Sequence, residues 1–278
     1  MKKLLLATLA ALSFNAFSQS YLIMDNGIVL TTDSAGFSYD FGHYAFPQKV
    51  TLKGGQYFVE EGNILATIDE NGLLFRKYEL IPETILGKGI NYFLSDEGFL
   101  YAIDKKGYVK VSESELYKNA TKFGGNYFTV TPDPEKKEFD LYVVTSEGQV
   151  VKADVPSLKT QEIISYGGNY FMTNRGIVFT VSNDGSVIPM DHMRVGIITK
   201  KGGNFFTDSS GYFYTVSATG ELNMPPLPVN MRVGTVLKLG SNYFIDQAGK
   251  FFVVDKDGQV FERIMRDHDF RLAKVISL

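Results

Sequence analysis

One five-residue phrase recurs six times along this 278-residue chain and rules out most ways of folding it. It reads GGQYF at Gly54–Phe58, GINYF at Gly89–Phe93, and GGNYF at Gly124–Phe128 and Gly167–Phe171. GGNFF at Gly202–Phe206 and GSNYF at Gly240–Phe244 complete the set. Aligned on its third residue, the phrase falls at Gln56, Asn91, Asn126, Asn169, Asn204 and Asn242, with spacings of 35, 35, 43, 35 and 38. A glycine follows 16 residues later at Gly72, Gly107, Gly185, Gly220 and Gly258. In the third copy it is Gly148, displaced by six residues, and the segment PDPEKKEF (Pro132–Phe139) explains the shift as a lengthened loop. A seventh copy, without the glycine lead-in, starts at Ser20: SYLIMDNGIVLTTDSAG reads onto NYFIDQAGKFFVVDKDG (Asn242–Gly258).

Every copy has the same grammar. The NYF phrase opens an alternating, aromatic-rich segment, as in NYFID, which predicts a strand. A turn carrying Gly or Asn leads to a second strand such as FFVVD (Phe251–Asp255). A four-residue turn follows, opened by Asp33, Asp69, Asp104, Thr145, Ser182, Ser217 or Asp255 and closed by glycine. Short polar side chains bond the local backbone there, and glycine supplies a positive φ. A third strand and a looser link come next, then a fourth strand that ends at the following glycine pair, as in KVTLK (Lys49–Lys53).

Four short antiparallel strands in each unit of about 37 residues predict an all-β fold, a seven-bladed β-propeller in which closure removes exposed sheet edges. The chain ends fit this expectation. The first copy lacks a strand ahead of Ser20, and the C-terminus carries a spare one, AKVISL (Ala273–Leu278), so pairing the two ends completes a seventh blade. The pattern resembles seven-bladed propellers of the WD-repeat and quinoprotein-like type. Within it, NYFLSDEGFLYAIDKKGYVKV (Asn91–Val111) resembles a quinoprotein-like blade. The resemblance spans the chain after residue 18 and implies architecture only, because with no Trp the Trp-Asp dipeptide and the quinoprotein tryptophan are both missing.

Residues 1–18 have the layout of a secretory signal peptide: a basic Met1-Lys2-Lys3, an apolar run at Leu4–Leu12 and small residues in Ala16–Ser18. That run is too short to span a bilayer, and no later segment is apolar for long enough. The expected organisation is therefore a signal peptide over 1–18 and one propeller domain over 19–278, periplasmic or secreted, with no cysteine to carry a lipid anchor or a disulfide. A net charge of −3 argues against a nucleic-acid partner.

Catalytic motifs are sparse. The chain has no cysteine nucleophile, no G-x-S-x-G elbow and no H-E-x-x-H, and its three histidines (His43, His192, His268) are far apart. The recurrent aspartates are turn formers. DKDG (Asp255–Gly258) lacks the downstream glutamate of a calcium loop. The tyrosines of the phrase read as core, against the alternative of repeated sugar sites. Lysines precede the glycine turn at Lys53, Lys88, Lys122, Lys200, Lys201 and Lys238. A cationic ring for anionic glycans or phosphates is one reading of them, but Asp69, Glu70, Glu147, Asp184 and Asp257 share that face, which favours a solvated surface of mixed sign.

The irregular links lie on the opposite face, where binding surfaces sit in variable loops on a rigid scaffold. They are Asp40–Gln48, Pro189–Arg194, Asn223–Arg232 and Met265–Arg271. Tyr44, Phe46, Leu227, Phe270, His192 and His268 are the candidate partner-binding residues there. Pro225, Pro226 and Pro228 stiffen one loop. His192, His268, Met190 and Met193 have the donor types of a copper site, but no metal or cofactor is expected. The chain reads as a monomeric, non-catalytic binding module or scaffold docking a protein partner. The alternatives are a lectin or envelope-glycan binder, and an enzyme with a site in the central channel, where Lys49, Thr84, Asn119, Glu162, Thr235 and Lys274 are the expected lining. If the two ends share a blade, deleting Ala273–Leu278 exposes strand edges and costs several kcal/mol. An unchanged melting temperature in the truncated chain would rule that closure out.

Overall fold

The structure is a computed structural model describing residues 20–23, 29–32, 38–40, 50–78, 82, 84–132, 138–158, 161–225, 236–240, 242–246 and 250–263. It is an all-β propeller of four-stranded antiparallel blades. Blade 1 comprises Val50–Lys53, Tyr57–Glu60, Ile64–Ile68 and Leu74–Tyr78; blade 2 comprises Ile85–Lys88, Tyr92–Ser95, Phe99–Ile103 and Val109–Glu113. Blade 3 is Ala120–Phe123, Tyr127–Val130, Asp140–Val144 and Val150–Ala153, and blade 4 is Ile163–Tyr166, Tyr170–Thr173, Val178–Val181 and Val187–Pro189. Blade 5 is Ile198–Lys201, Phe205–Asp208, Phe213–Val216 and Leu222–Asn223, and blade 6 is Val236–Leu239, Tyr243–Asp246, Phe251–Val254 and Val260–Arg263. In each, the strand before the glycine pair pairs with the strand that opens on the Tyr-Phe phrase, as the grammar required.

The blade count differs from the expected seven. Among the described residues there are six four-stranded blades, and Ser20–Ile23, Val29–Thr32 and Ser38–Asp40 form a three-stranded sheet. The strand expected to complete it, Ala273–Leu278, lies outside the described residues.

The Tyr-Phe dipeptide forms the interfaces. Successive strand residues point to opposite faces, so each blade offers an aromatic ring to both neighbours. The rings meet in tilted pairs: Tyr21–Phe58, Tyr57–Phe93, Tyr92–Phe128, Tyr127–Phe171, Tyr170–Phe206 and Phe205–Phe244, with centroids 4.6–5.5 Å apart. Such pairs contribute about 0.5–1.5 kcal/mol each beyond their buried area. The three-stranded sheet joins the series through Tyr21, which packs with Phe58, Ala66 and Ile68 of blade 1.

The glycines follow from the same packing. Each phrase tyrosine or phenylalanine folds back over the glycine three residues earlier, so a Cβ at Gly54, Gly124, Gly167, Gly202 or Gly240 would collide with that ring. The second glycine approaches the next blade's backbone, and a Cβ at Gly168 would strike the Gly203 carbonyl.

A β-bulge interrupts the pairing of every first strand with its second, at Val50/Leu52, Ile85/Gly87, Ala120/Lys122, Ile163/Ser165, Ile198/Lys200 and Val236/Lys238. At two of the three bulged threonines the hydroxyl fills the gap in the ladder, while Thr121 meets the Thr129 hydroxyl at 3.1 Å. Thr51 donates to the Val59 carbonyl at 3.2 Å and Thr199 to the Thr207 carbonyl at 3.1 Å.

The D-x-x-G turns are built as expected. Asp104 Oδ1 accepts the backbone N–H groups of Lys106 and Tyr108, each at 2.9 Å, and Gly107 sits at φ +77°. A Cβ there would lie 3.1 Å from Phe75 Cδ2 and 3.2 Å from Thr67 Oγ1. Gly107→Val should therefore destabilise by more than about 1 kcal/mol, because valine strongly disfavours positive φ. Gly176 has φ +76° with nothing within 4 Å of the Cβ position, so Gly176→Val should cost less. Denaturant midpoints of the two variants measure the crowding at the blade interface.

Candidate functional site

The phrase tyrosines are the first candidates to resolve, since a ring of exposed tyrosines would have offered repeated sugar sites. Tyr57, Tyr92, Tyr127 and Tyr170 are fully buried, and Tyr21 and Tyr243 are 1% exposed. The hydroxyls of Tyr21, Tyr57, Tyr92, Tyr127 and Tyr170 are committed to the backbone. Tyr21 donates to the Tyr57 carbonyl at 2.9 Å, Tyr57 to Tyr92 at 2.8 Å, Tyr92 to Tyr127 at 2.5 Å, Tyr127 to Tyr170 at 2.7 Å and Tyr170 to Phe205 at 3.0 Å. Burial pushes the phenols of Tyr57, Tyr92, Tyr127 and Tyr170 well above their usual range. The Tyr21 phenol is pushed up by burial first, then by Tyr57 and Tyr243.

The phrase asparagines also bridge blades. Asn91 Nδ2 donates to the Val144 and Thr145 carbonyls, Asn126 to Val181 and Ser182, and Asn204 to Val254 and Asp255, at 3.3–3.5 Å. The Oδ1 atoms of Asn91, Asn126 and Asn204 are buried without a protein donor, a recurrent cost that the bridging amide must exceed.

Of the candidate partner-binding residues, only His192 is described. Tyr44, Phe46, Leu227, Phe270 and His268, with His43, lie outside the described residues. His192 is exposed beside Asp191, with Nδ1 3.9 Å from its carboxylate. The same link sends Met190 inward: it is 6% exposed and packs with Tyr170, Phe206 and Tyr214, with Met193 against that cluster. This contact takes the Met190 thioether out of the suggested copper donors. Among the described residues no group of three or more His, Cys, Asp or Glu could hold a metal ion. No described helix is long and apolar enough to cross a membrane.

The feature that the mixed-sign reading of the lysine face discounted lies at the opposite, glycine-turn end of the axis. The turns of all six blades surround a pit of about 320 Å³ lined by Lys53, Lys88, Ile90, Phe123, Lys201 and nine glycines. Among the described residues no carboxylate lines it. Lysines and acids share this face but not the same radius: strand order puts the first-strand ends at the axis and the D-x-x-G turns farther out. There Glu147 is paired with Lys105 at 2.5 Å.

Strand alternation then sorts the lysines. Lys53, Lys88 and Lys201 are the last residues of their first strands and reach the pit. Lys122 is the penultimate residue of its strand, does not line the pit and donates forward to the Ile163 carbonyl at 2.5 Å, whereas Lys88 donates back to the Lys53 carbonyl at 2.6 Å. Lys238 is also penultimate, and its side chain lies outside the described residues. Strand order and strand parity were the available signals. Partial burial and then Lys53 hold the Lys88 ammonium below the usual lysine range. Burial does the same to Lys201, whose Nζ sits 5.5 Å from the Tyr166 ring centroid. Thr84, Asn119 and Glu162, expected to line the channel, are exposed just before the first strands.

No protein-family model and no curated protein matches the chain. Among solved structures it is similar to streptogramin B lyase, at 13% identity over 90% of this chain and 96% of that one, with a TM-score of 0.32. It is also similar to YCF48 bound to D1 peptide, at 12% identity over 91% and 98%, with a TM-score of 0.31. At these scores neither likeness bears on activity or ligand.

One blade departs from the tyrosine pattern. Phe205 has no hydroxyl to hand to Tyr243, whose carbonyl accepts the Gly240 N–H at 2.8 Å. Phe205→Tyr should restore the missing bond and add about 1 kcal/mol, which raises the melting temperature by about 2 °C in a chain of this size. Tyr127→Phe should lower it, and thermal unfolding of both variants checks the sign.

Proposed function

We propose that the chain is an exported, non-catalytic binding scaffold that docks a protein partner through the loops opposite the glycine turns. In this reading its ring has seven blades, with Ala273–Leu278 supplying the innermost strand of the blade begun by Ser20–Ile23. The observation that carries the functional proposal is how the repeated residues are used. The phrase tyrosines are buried and bonded to the next blade, and the turn aspartates cap their own backbones. Recognition is then left to residues that do not repeat, which are concentrated in the variable links. The link Pro189–Arg194 illustrates the division of labour, with Met190 anchored inside and Asp191 and His192 in solvent. For closure, support comes from Tyr21, whose phenol feels both Tyr57 and Tyr243.

Interface energy concentrates in a few apolar anchors ringed by polar residues, and stiff loops lose less entropy on binding. Tyr44, Phe46, Leu227 and Phe270 are the proposed anchors, with His192 and His268 at their margin. Changing Tyr44 and Leu227 together to Ser should abolish capture of the partner recovered from envelope extract by the unaltered chain, with little change in melting temperature. Replacing Lys53, Lys122 and Lys238 with Gln should leave capture intact. The opposite pattern would move the partner site to the glycine-turn face, and a positive glycan array with no protein partner would replace the docking module with a lectin.

A further inference from the structure

We infer that the axial pit on the glycine-turn face is a binding site for a compact, multivalent oxyanion of the phosphate type. Three cations converge there on one concave surface. Lys53 and Lys88 come from adjacent blades 1 and 2, and Lys201 comes from blade 5, farther around the ring. Nine of the described lining residues are glycines, with Ile90 and Phe123 the apolar side chains among them. Among the described residues no acidic side chain lines the pit.

Lys88 Nζ donates to the Lys53 carbonyl at 2.6 Å, which holds its ammonium at the rim of the pit. Partial burial and then Lys53 keep Lys88 below the usual lysine range, and burial does the same to Lys201. The position of the lysines selects the shape of the ligand. One small, centrally placed polyanion reaches all three, whereas an extended chain crossing the rim meets one side at a time. A volume of about 320 Å³ is at the small end for ligand pockets.

Residue type selects the chemistry. Lysine is a point charge suited to phosphate, and among the described residues the lining has no arginine fork to favour a planar carboxylate. Phe123 and the Tyr166 ring beneath Lys201 leave an apolar flank that would tolerate an organic group on the phosphate. This site is separate from the proposed protein-docking loops and stands whether or not they bind a partner.

Titration calorimetry of the full chain with inorganic tripolyphosphate at low salt is the test. The expected result is a single site with Kd below about 1 mM and weakening with salt, as exposed charge interactions are screened. Lys88→Gln with Lys201→Gln should weaken binding at least tenfold. The control, Lys110→Gln with Lys152→Gln in the outer strands, should bind normally, and citrate should bind more weakly than tripolyphosphate. Tripolyphosphate should also raise the melting temperature of the unaltered chain, a readout that needs no variant. No binding by the unaltered chain, or equal losses in pit and control variants, would overturn the site. Citrate binding as tightly as tripolyphosphate would overturn its phosphate character.

Discussion

The structure depends on hydrogen bonds handed from each blade to the next in one direction. Tyrosine hydroxyls reach forward to the carbonyl of the following phrase. Threonines of the third strand do the same at the turn glycines: Thr31 to Gly72, Thr67 to Gly107, Thr180 to Gly220 and Thr215 to Gly258, at 2.6–2.8 Å. Backbone amides follow both routes, Gly55 to Ile90 and Gly203 to Gly240 near the axis. Farther out, Glu70 donates to Lys105, Lys105 to Ser146, Ser146 to Asn183, Asn183 to Ala218 and Ala218 to Lys256. Each bond contributes only about 1 kcal/mol net, but leaving its buried partner empty costs more. The repeated sequence is largely the set of residues that keeps this transfer unbroken.

That requirement explains why so little of the repeat is free for chemistry. A tyrosine that must bury its ring on the next blade and end its hydroxyl on a carbonyl cannot also face a ligand. The first glycine is fixed by the ring above it and the second by the neighbouring backbone. Function is left to positions the transfer does not use: the tips of the first strands, and the links between fourth and first strands. One set forms the lysine pit, and the other carries the proposed docking loops.

Most of the architecture was legible because the constraints are local and repeated. Alternation gave the strands, Asp104 with Gly107 gave the turns, and the Tyr-Phe order gave opposite-facing rings. The pit lysines were visible in sequence, but their parity was not used. Lys88 stands directly before Gly89 and Lys122 one residue farther from Gly124, so alternation turns them different ways. The acids of the D-x-x-G turns share a face with the lysines yet lie at another radius, so summing charge by face hid the concentration at the axis. Blade number was the other difference, because it rests on Ala273–Leu278 rather than on a repeated phrase.

The one-way transfer also gives the ring a polarity. Each blade presents donors to one neighbour and acceptors to the other, so any blade can follow any other, but none fits backwards. A duplicated blade inserted in frame would meet compatible chemistry on both sides. The number of blades is then governed by the wedge angle of each sheet rather than by matched pairs of interfaces. Such a ring can lengthen or shorten by whole units during its history while every interface remains of one kind.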